Sequence, residues 1–393
     1  MRLLFVCGAL ATGEYLASFC PQLAGVWPVA AIAATLILLF GYGWESKLMC
    51  YAAIVLSGVA LFLFASQDQE EKYLMSPWMR GKEWRVTHRQ EEQVGLAKTV
   101  KDDLSRRVGI GLEQDWESAS LARAILLGER RSLPYRTKKL FVESGTMHVF
   151  AISGLHVMAV AEVFTLCLAF LLVPVRFAGL VSAPLLWGYV AMIGFAPSAV
   201  RAGMMATIMG AAPAFWRRAS GLRAWELTFL VVHIANPLMI TNVGNALSFA
   251  VMLSIVLVGD YAKSMAKWRR TLLVTVAAWA TGVPIAAHIF GRVTPGGMIG
   301  NLVLIGTAKL TVVSGAFGIL TSYVSETLAA HINNLSALGI KSMVLVAECV
   351  SRLPWANFET GSWSILTCVE WYAALALVGF LLRMVSKRRR ALG

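Results

Sequence analysis

Polar side chains are sparse in this chain, and the densest group of them interrupts an apolar run: Gly145-Thr146-Met147-His148-Val149-Phe150-Ala151-Ile152-Ser153-Gly154-Leu155-His156-Val157. Ser153 and His156 are three apart and share a helix face. His148 and His156 are eight apart, about two turns, so on a continuous helix they point broadly the same way. Gly154 permits close backbone approach or a break in the helix. Four roles compete for these residues. A Ser–His hydrolase needs a nucleophile elbow, but Ala151-Ile152-Ser153-Gly154-Leu155 lacks its first glycine and no strand precedes it. A metal site needs a third ligand and tighter spacing than His-x7-His, and His-Glu-x-x-His is absent. A polar constriction along a transport route needs only hydrogen-bonding groups on one face. Adhesion between helices through Ser, Gly and His needs no more than that either. No catalytic residue, metal ligand or cofactor is assigned.

Three further landmarks share the pattern of costly groups in apolar surroundings. Arg201, in Pro197-Ser198-Ala199-Val200-Arg201-Ala202-Gly203, must snorkel, pair with an acid such as Glu162 or Glu226, or meet an anion. Its planar fork suits phosphate. Asn236-Pro237 is followed by Asn245-Ala246-Leu247-Ser248-Phe249. Gly282-Val283-Pro284 leads through His288-Ile289-Phe290-Gly291 to Gly300-Asn301, with Lys309 eight residues on. Pro and Gly at this density mark kinked or broken membrane helices, which are tolerated where they are buried in protein or line a cavity. The candidates for a polar route are therefore His148, Ser153, Gly154, His156, Arg201, Asn236, Ser248, His288, Asn301 and Lys309.

The elements that must position these residues follow from composition. The chain has 393 residues, 58% of them hydrophobic and only 15% charged, against about 45–50% and 25% in soluble proteins. This excludes an ordinary cytoplasmic enzyme, a disordered tail and a secreted disulfide scaffold. The six cysteines sit mostly in apolar runs and read as small hydrophobes. A spanning helix needs about 20 mostly apolar residues. Candidates lie near 3–19, 24–42, 48–65, 147–172, 178–195, 198–215, 225–241, 244–259, 271–290, 297–320, 338–353 and 364–382. The first of these reads as a membrane helix and not a cleaved leader, because Glu14 interrupts it and further spans follow at once. Segments 198–215 and 338–353 are short and fit re-entrant or interfacial placement.

The net charge of +13 comes largely from clusters at 217–223, 263–270 and 383–390, which the positive-inside rule places in the cytoplasm. Residues 66–146 differ in kind: fifteen basic and thirteen acidic residues nearly cancel. Val100, Leu104, Val108 and Leu112 recur every four residues and predict an amphipathic helix over 98–112. A second helical stretch covers 117–128, and Ser132-Leu133-Pro134 can start a third. Trp78, Trp84 and Trp116 among Arg80, Lys82, Arg85 and Arg89 suit interfacial anchors or a small stacking platform. The expected architecture is an all-α polytopic membrane protein of about 10–12 membrane helices, some short, broken or re-entrant, with amphipathic helices on the surface. Four regions follow: N-terminal helices 1–65, an extracytoplasmic segment 66–146, a membrane domain 147–382 and a basic cytoplasmic tail 383–393.

In this order, the landmarks resemble the competence domain of the ComEC family of bacterial DNA-internalisation channels. The resemblance runs from about residue 98 to 382, on Leu126-Leu127-Gly128-Glu129-Arg130, Gly145 to His148, Ala151 to Val157, Arg201-Ala202, Asn236-Pro237 with Leu247-Ser248-Phe249-Ala250, and His288-Ile289-Phe290-Gly291 with Gly300-Asn301-Leu302. It implies a multi-pass protein of the bacterial plasma membrane that passes one DNA strand inward during natural transformation. The partners implied are single-stranded DNA, a cytoplasmic ATP-driven motor, an outer DNA receptor and membrane lipids, and a homo-oligomer is compatible. Larger members carry an OB-fold and a metallo-β-lactamase-like domain. Residues 66–97 are too few for an OB barrel, and no His-x-His-x-Asp-His motif occurs. The competing expectation is a reduced homologue acting as a membrane scaffold, or as a permease for another solute.

Overall fold

The computed structural model describes residues 95–129, 133–150 and 153–391, with backbone alone at 95–98, 241, 376 and 380–391. The three expected N-terminal spans, and Trp78 and Trp84 with their basic neighbours, lie outside the described residues.

Among the described residues the chain is helical apart from one two-residue strand pair. The helices are α1 (Gly95–Val108), α2 (Trp116–Leu127), α3 (Tyr135–Glu143), α4 (Gly154–Phe170), α5 (Val175–Met192), α6 (Pro197–Ala211), α7 (Gly221–Ala235), α8 (Val243–Tyr261), α9 (Lys267–Phe290), α10 (Pro295–Ser322), α11 (Glu326–Ser351) and α12 (Ile365–Ala391). Among the described residues, six segments are long and apolar enough to cross a membrane: Met147–Phe170, Val175–Met192, Val243–Ser264, Lys267–Phe290, Pro295–Ser322 and Glu326–Ser351. The protein is an all-α polytopic membrane protein.

Differences from the expected spans have local causes. The run at 147–172 is broken, with a 3-10 turn over Met147–Val149 before α4 begins at Gly154. The run at 225–241 ends as a helix at Ala235, and Asn236 then caps a 3-10 turn over Pro237–Thr241 by accepting the Leu238 N–H. The segment expected as a short interfacial helix at 338–353 is the second half of α11, which starts at Glu326 behind a Ser325 cap. Asn333, Asn334 and Ser336 lower the hydropathy of its first half. Yet Ala329, Asn333, Ser336, Ala337, Ile340, Met343 and Ala347 recur at helical spacing and are all buried. Helix α12 continues into the basic run as far as Ala391.

By contacts the chain divides into two compact units. Of the described residues, one holds Phe164–Phe249 with 95–101; the other holds Asp102–Val163 and the residues from Ala250 on.

In the first unit α6 packs on both α5 and α7. Gly179 and Gly210 let α5 and α6 cross backbone to backbone: a Cβ on Gly179 would stand 2.5 Å from the Gly210 carbonyl oxygen. Small residues are the usual means of close approach where lipid gives helices no hydrophobic reason to associate.

The second unit is built on the α10–α11 hairpin. Glycines let its two helices approach: Gly318 of α10 lies against Asn333 of α11, and Gly339 of α11 lies against Thr311 of α10. Thr311 and Ser336 exchange side-chain-to-carbonyl hydrogen bonds between the two helices, at 3.4 and 3.2 Å. The expected surface helices are built onto this hairpin. Residues Ser118 to Ala122 and Ala124 to Leu127 of α2 are buried, and α2 packs on both α10 and α11. Its end at Gly128, in the left-handed conformation, is as the sequence predicts. Arg107 stacks on Tyr323 at the hairpin turn, 3.6 Å from the ring centroid. Gly145, at the far end of the same segment, lies against Gly297 near the start of α10. The two ends of this segment thus touch opposite ends of α10. If α10 stands upright in a bilayer, 102–146 does not all lie on one face.

Helix α9 packs on α10 and α12. Pro284 inside α9 has no N–H for the Ala280 carbonyl one turn back. Trp371 Nε1 of α12 supplies the missing donor at 2.9 Å, and Tyr372 donates to the Thr281 carbonyl at 2.9 Å. Strands β1 (Arg292–Val293) and β2 (Phe358–Glu359) pair antiparallel, with Arg292 opposite Glu359.

Candidate functional site

In the second unit, two sequence blocks about 150 residues apart meet where the chain enters the broken helix. Gly145 has a φ of 71°, and a Cβ there would stand 2.6 Å from Thr294 Cβ. Gly297 would meet the Gly145 carbonyl oxygen at 2.9 Å, and Gly300 would meet Thr146 Cγ2 at 2.9 Å. Glycine at these three positions is what allows the contact. Thr294 is itself fixed by Trp279 Nε1, which donates to its carbonyl at 3.0 Å. Ser144 and Thr146 hydroxyls lie 2.6 Å apart and brace the turn. This packing brings His148 to Asn301. The accessible His148 ring engages the Asn301 side chain and the Gly145 backbone.

His156 does something different from His148. It is 1% exposed, and its Nδ1 accepts the Ser153 N–H at 3.1 Å and lies 2.9 Å from Ser153 Oγ. Ser153 precedes α4 and His156 is its third residue, so the ring reaches back as the Glu of a capping box does. A backbone N–H can only donate, so Nδ1 is an acceptor and the hydroxyl donates to it too. The expectation that the two histidines point the same way fails because the chain breaks between them.

Lys309 and Glu162 form the next polar contact in this unit, Nζ to Oε2 at 2.6 Å. Glu162 therefore pairs with Lys309, not with Arg201. His288 is held at a loop: Nδ1 lies 2.7 Å from the Trp363 carbonyl, and Ser362 donates to the His288 carbonyl.

Arg201 lies in the first unit and is 5% exposed. Its Nη1 donates to Asn245 Oδ1 at 2.6 Å, its Nε to Ser248 Oγ at 3.1 Å, and its Nη2 points to the Gly244 carbonyl at 3.5 Å. Asn245 Nδ2 in turn donates to the Met239 carbonyl at 2.9 Å and lies 3.1 Å from His233 Nε2. His233 Nδ1 lies 2.8 Å from the Phe229 carbonyl. A carbonyl only accepts, so Nδ1 carries the proton and Nε2 accepts from Asn245. One directed chain of hydrogen bonds thus ties α6 to α8 and α8 to α7. Trp225, Phe229 and Phe249 pack around it, and Trp225 Nε1 donates to the Phe249 carbonyl. Among the described residues every partner of Arg201 is neutral.

Of the ten candidate residues, His148, Ser153, Gly154, His156, His288, Asn301 and Lys309 lie in the second unit and Arg201, Asn236 and Ser248 in the first. His233, Asn245, Glu162 and Thr294 are the members that the candidate set lacked. His233 and Glu162 carried a usable signal, an ionisable group within an apolar helix. Thr294 carried none. No group of three or more His, Cys, Asp or Glu side chains among the described residues is placed to hold a metal ion.

A model of the Competence protein family matches residues 125–385, more than half of the chain. ComE operon protein 3 of Bacillus subtilis (strain 168) is 26% identical over 179 residues. That match takes in 44% of this chain and 23% of the relative, so the chain covers less than a quarter of that protein's length. No solved structure matches the chain.

Proposed function

Because this chain belongs to the Competence protein family, we propose that it forms the membrane route by which a single DNA strand enters the cell in natural transformation, in the plasma membrane. A competence-related role and a place in a membrane follow from the family and the helices. The strand, the route and the particular membrane are the proposal.

The observation that carries it is the meeting of His148 with Asn301. Gly145, Gly297 and Gly300 remove every side chain that would keep the two segments apart. What remains between them is the exposed His148 imidazole beside the half-buried Asn301 amide. Groups of this kind at membrane depth are costly unless they meet water or a polar solute. Neutral polar groups also bond any nucleotide without reading its sequence, as a DNA route requires.

Roles then divide among the candidates. His148 and Lys309 are the exposed groups a strand would meet, with the half-buried Asn301 beside His148. Ser153, Gly154 and His156 hold the break that puts His148 there. Arg201 and Ser248, with Asn245 and His233, fix three helices of the first unit. Asn236 and His288 secure the ends of helices. No covalent chemistry is required of this chain. Movement would come from a cytoplasmic motor acting on a strand delivered by an outer receptor.

The test is a clean deletion assayed for transformation, complemented by the wild-type gene or by His148→Leu. Loss on deletion, restoration by wild type and failure of a normally expressed His148→Leu are expected. A deletion strain that transforms normally removes the DNA-route reading, and a scaffold or a permease for another solute takes its place.

A further inference from the structure

Lys309 stands near the middle of α10 and Glu162 near the middle of the Met147–Phe170 span, and each side chain is about half accessible, 46% and 54%. Charges at that depth are costly against lipid, so the open side of the pair calls for water or a polar solute. Asn301, Ile305 and Lys309 are spaced four apart and lie on one face of α10. Gly306, beside them, has nothing within 4 Å of where its Cβ would stand. The three residues thus lead along α10 from the His148–Asn301 contact to the Glu162–Lys309 pair.

We propose that Lys309 is a binding site for the phosphodiester of a single DNA strand, and that Glu162 is the counter-ion the phosphodiester displaces. This rests on the DNA-route reading. An ammonium is a compact point charge that exchanges one oxygen anion for another without a fixed fork geometry. Glu162 occupies it when no strand is present, so no bare charge is left in the membrane. When a phosphate arrives the two anions compete, which keeps the site weak. Conduction needs binding strong enough to enter and weak enough to leave. The other basic groups of the helices fit this role less well. Lys341 pairs with Asp115 at 2.8 Å in a groove that Glu113, Glu117 and Glu348 make acidic. Arg201 is buried, with its donors engaged.

A phospholipid headgroup offers the same phosphodiester, and mid-span depth favours the strand. The experiment uses full-length protein in nanodiscs of phosphatidylcholine alone, with a fluorescein-labelled single-stranded oligonucleotide and anisotropy read across a salt series. Glu162→Gln removes the competitor and should tighten binding about tenfold, since among the described residues Glu162 is the carboxylate that pairs with Lys309. Glu162→Gln with Lys309→Met removes the pair without stranding a charge. It should weaken binding below wild type and lower the salt slope by roughly 0.7, the value of one single-strand phosphate contact. A double variant that is monodisperse and binds with the wild-type affinity and slope overturns the proposal while leaving the DNA route standing. Wild-type protein that binds no oligonucleotide overturns both. If the variants differ only in how much phosphatidylglycerol they retain on extraction, the site is a lipid site and the proposal fails.

Discussion

Arg201 Nη1 donates to Asn245 Oδ1 at 2.6 Å, and the same amide turns its nitrogen to His233 Nε2 at 3.1 Å. One uncharged side chain thus serves an arginine and a histidine on two other helices. Asn245→Ala leaves both without that partner, at a cost of about 1–3 kcal/mol for each buried group so orphaned. Asn245→Asp places a carboxylate against the His233 nitrogen that accepts, and also removes the donor. Both variants should melt well below wild type in detergent, with Asn245→Ala losing monodispersity on size exclusion. Unchanged melting for Asn245→Ala would show that the chain of hydrogen bonds carries no stability.

Gly145 and Thr294 make a second such relationship. Gly145→Ala adds a Cβ 2.6 Å from Thr294 Cβ, at a backbone φ of 71° that disfavours any side chain. Combined overlap and strain should cost about 1–3 kcal/mol or more. Thr294→Gly removes the obstructing atoms but not the unfavourable φ. The double variant should therefore recover part of the loss, read as melting temperature. Full recovery would show that backbone conformation contributes nothing here.

Pro284 and Trp371 form a thermodynamic cycle. Trp371→Phe leaves the Ala280 carbonyl without its donor and should destabilise by about 1–3 kcal/mol. Pro284→Ala gives α9 back the N–H that the carbonyl lacks. Trp371→Phe should then be much milder in the Pro284→Ala background. Equal effects in both backgrounds would mean that the indole acts by packing alone.

Asp103 and Asp115, outside the spans, couple stability to pH through ion pairs. Arg107, then Arg106, hold Asp103 below its usual value of 3.8, and Lys341 does the same for Asp115. A depressed folded-state pKa contributes stability that is present above the unfolded value and is lost as pH falls through the folded one. Melting temperature should therefore drop below about pH 4, and Asp115→Asn should flatten that drop by lowering the plateau above it. A variant whose acid limb matches wild type would remove Asp115 from the account.

Membrane sidedness can be read with an impermeant thiol reagent in intact cells. Residues 292–293 pair with 358–359 and so share a face, and α9 separates them from the basic loop at 263–270. Thr360→Cys should label and Ser264→Cys should not. With α10 upright, Glu143→Cys should label and Asp102→Cys should not. Labelling of both of the latter would show that the hairpin lies along the surface.

The sequence alone determined the class of structure and nominated the polar residues from which the candidate site is argued. Hydropathy runs of about 20 residues leave a chain no soluble alternative, and Gly and Pro within them marked where helices break, at Gly154 and at Asn236-Pro237. Four spaced blocks were enough to point to the family, because each carries polar side chains that apolar surroundings would otherwise exclude. Pairing was not legible. Periodicity gives the face of one helix and says nothing of what faces it, so Glu162 was as good a partner for Arg201 as for Lys309 until tertiary structure placed it at 2.6 Å from the lysine. The same limit hid Trp371 as the donor for the Ala280 carbonyl and Thr294 as the surface under Gly145. It also split two histidines that a continuous helix would have aligned, turning His156 into a cap and leaving His148 open to Asn301. Contacts between residues far apart in the chain depend on how whole helices pack, and that is settled by the sum of many small steric fits that no local pattern records.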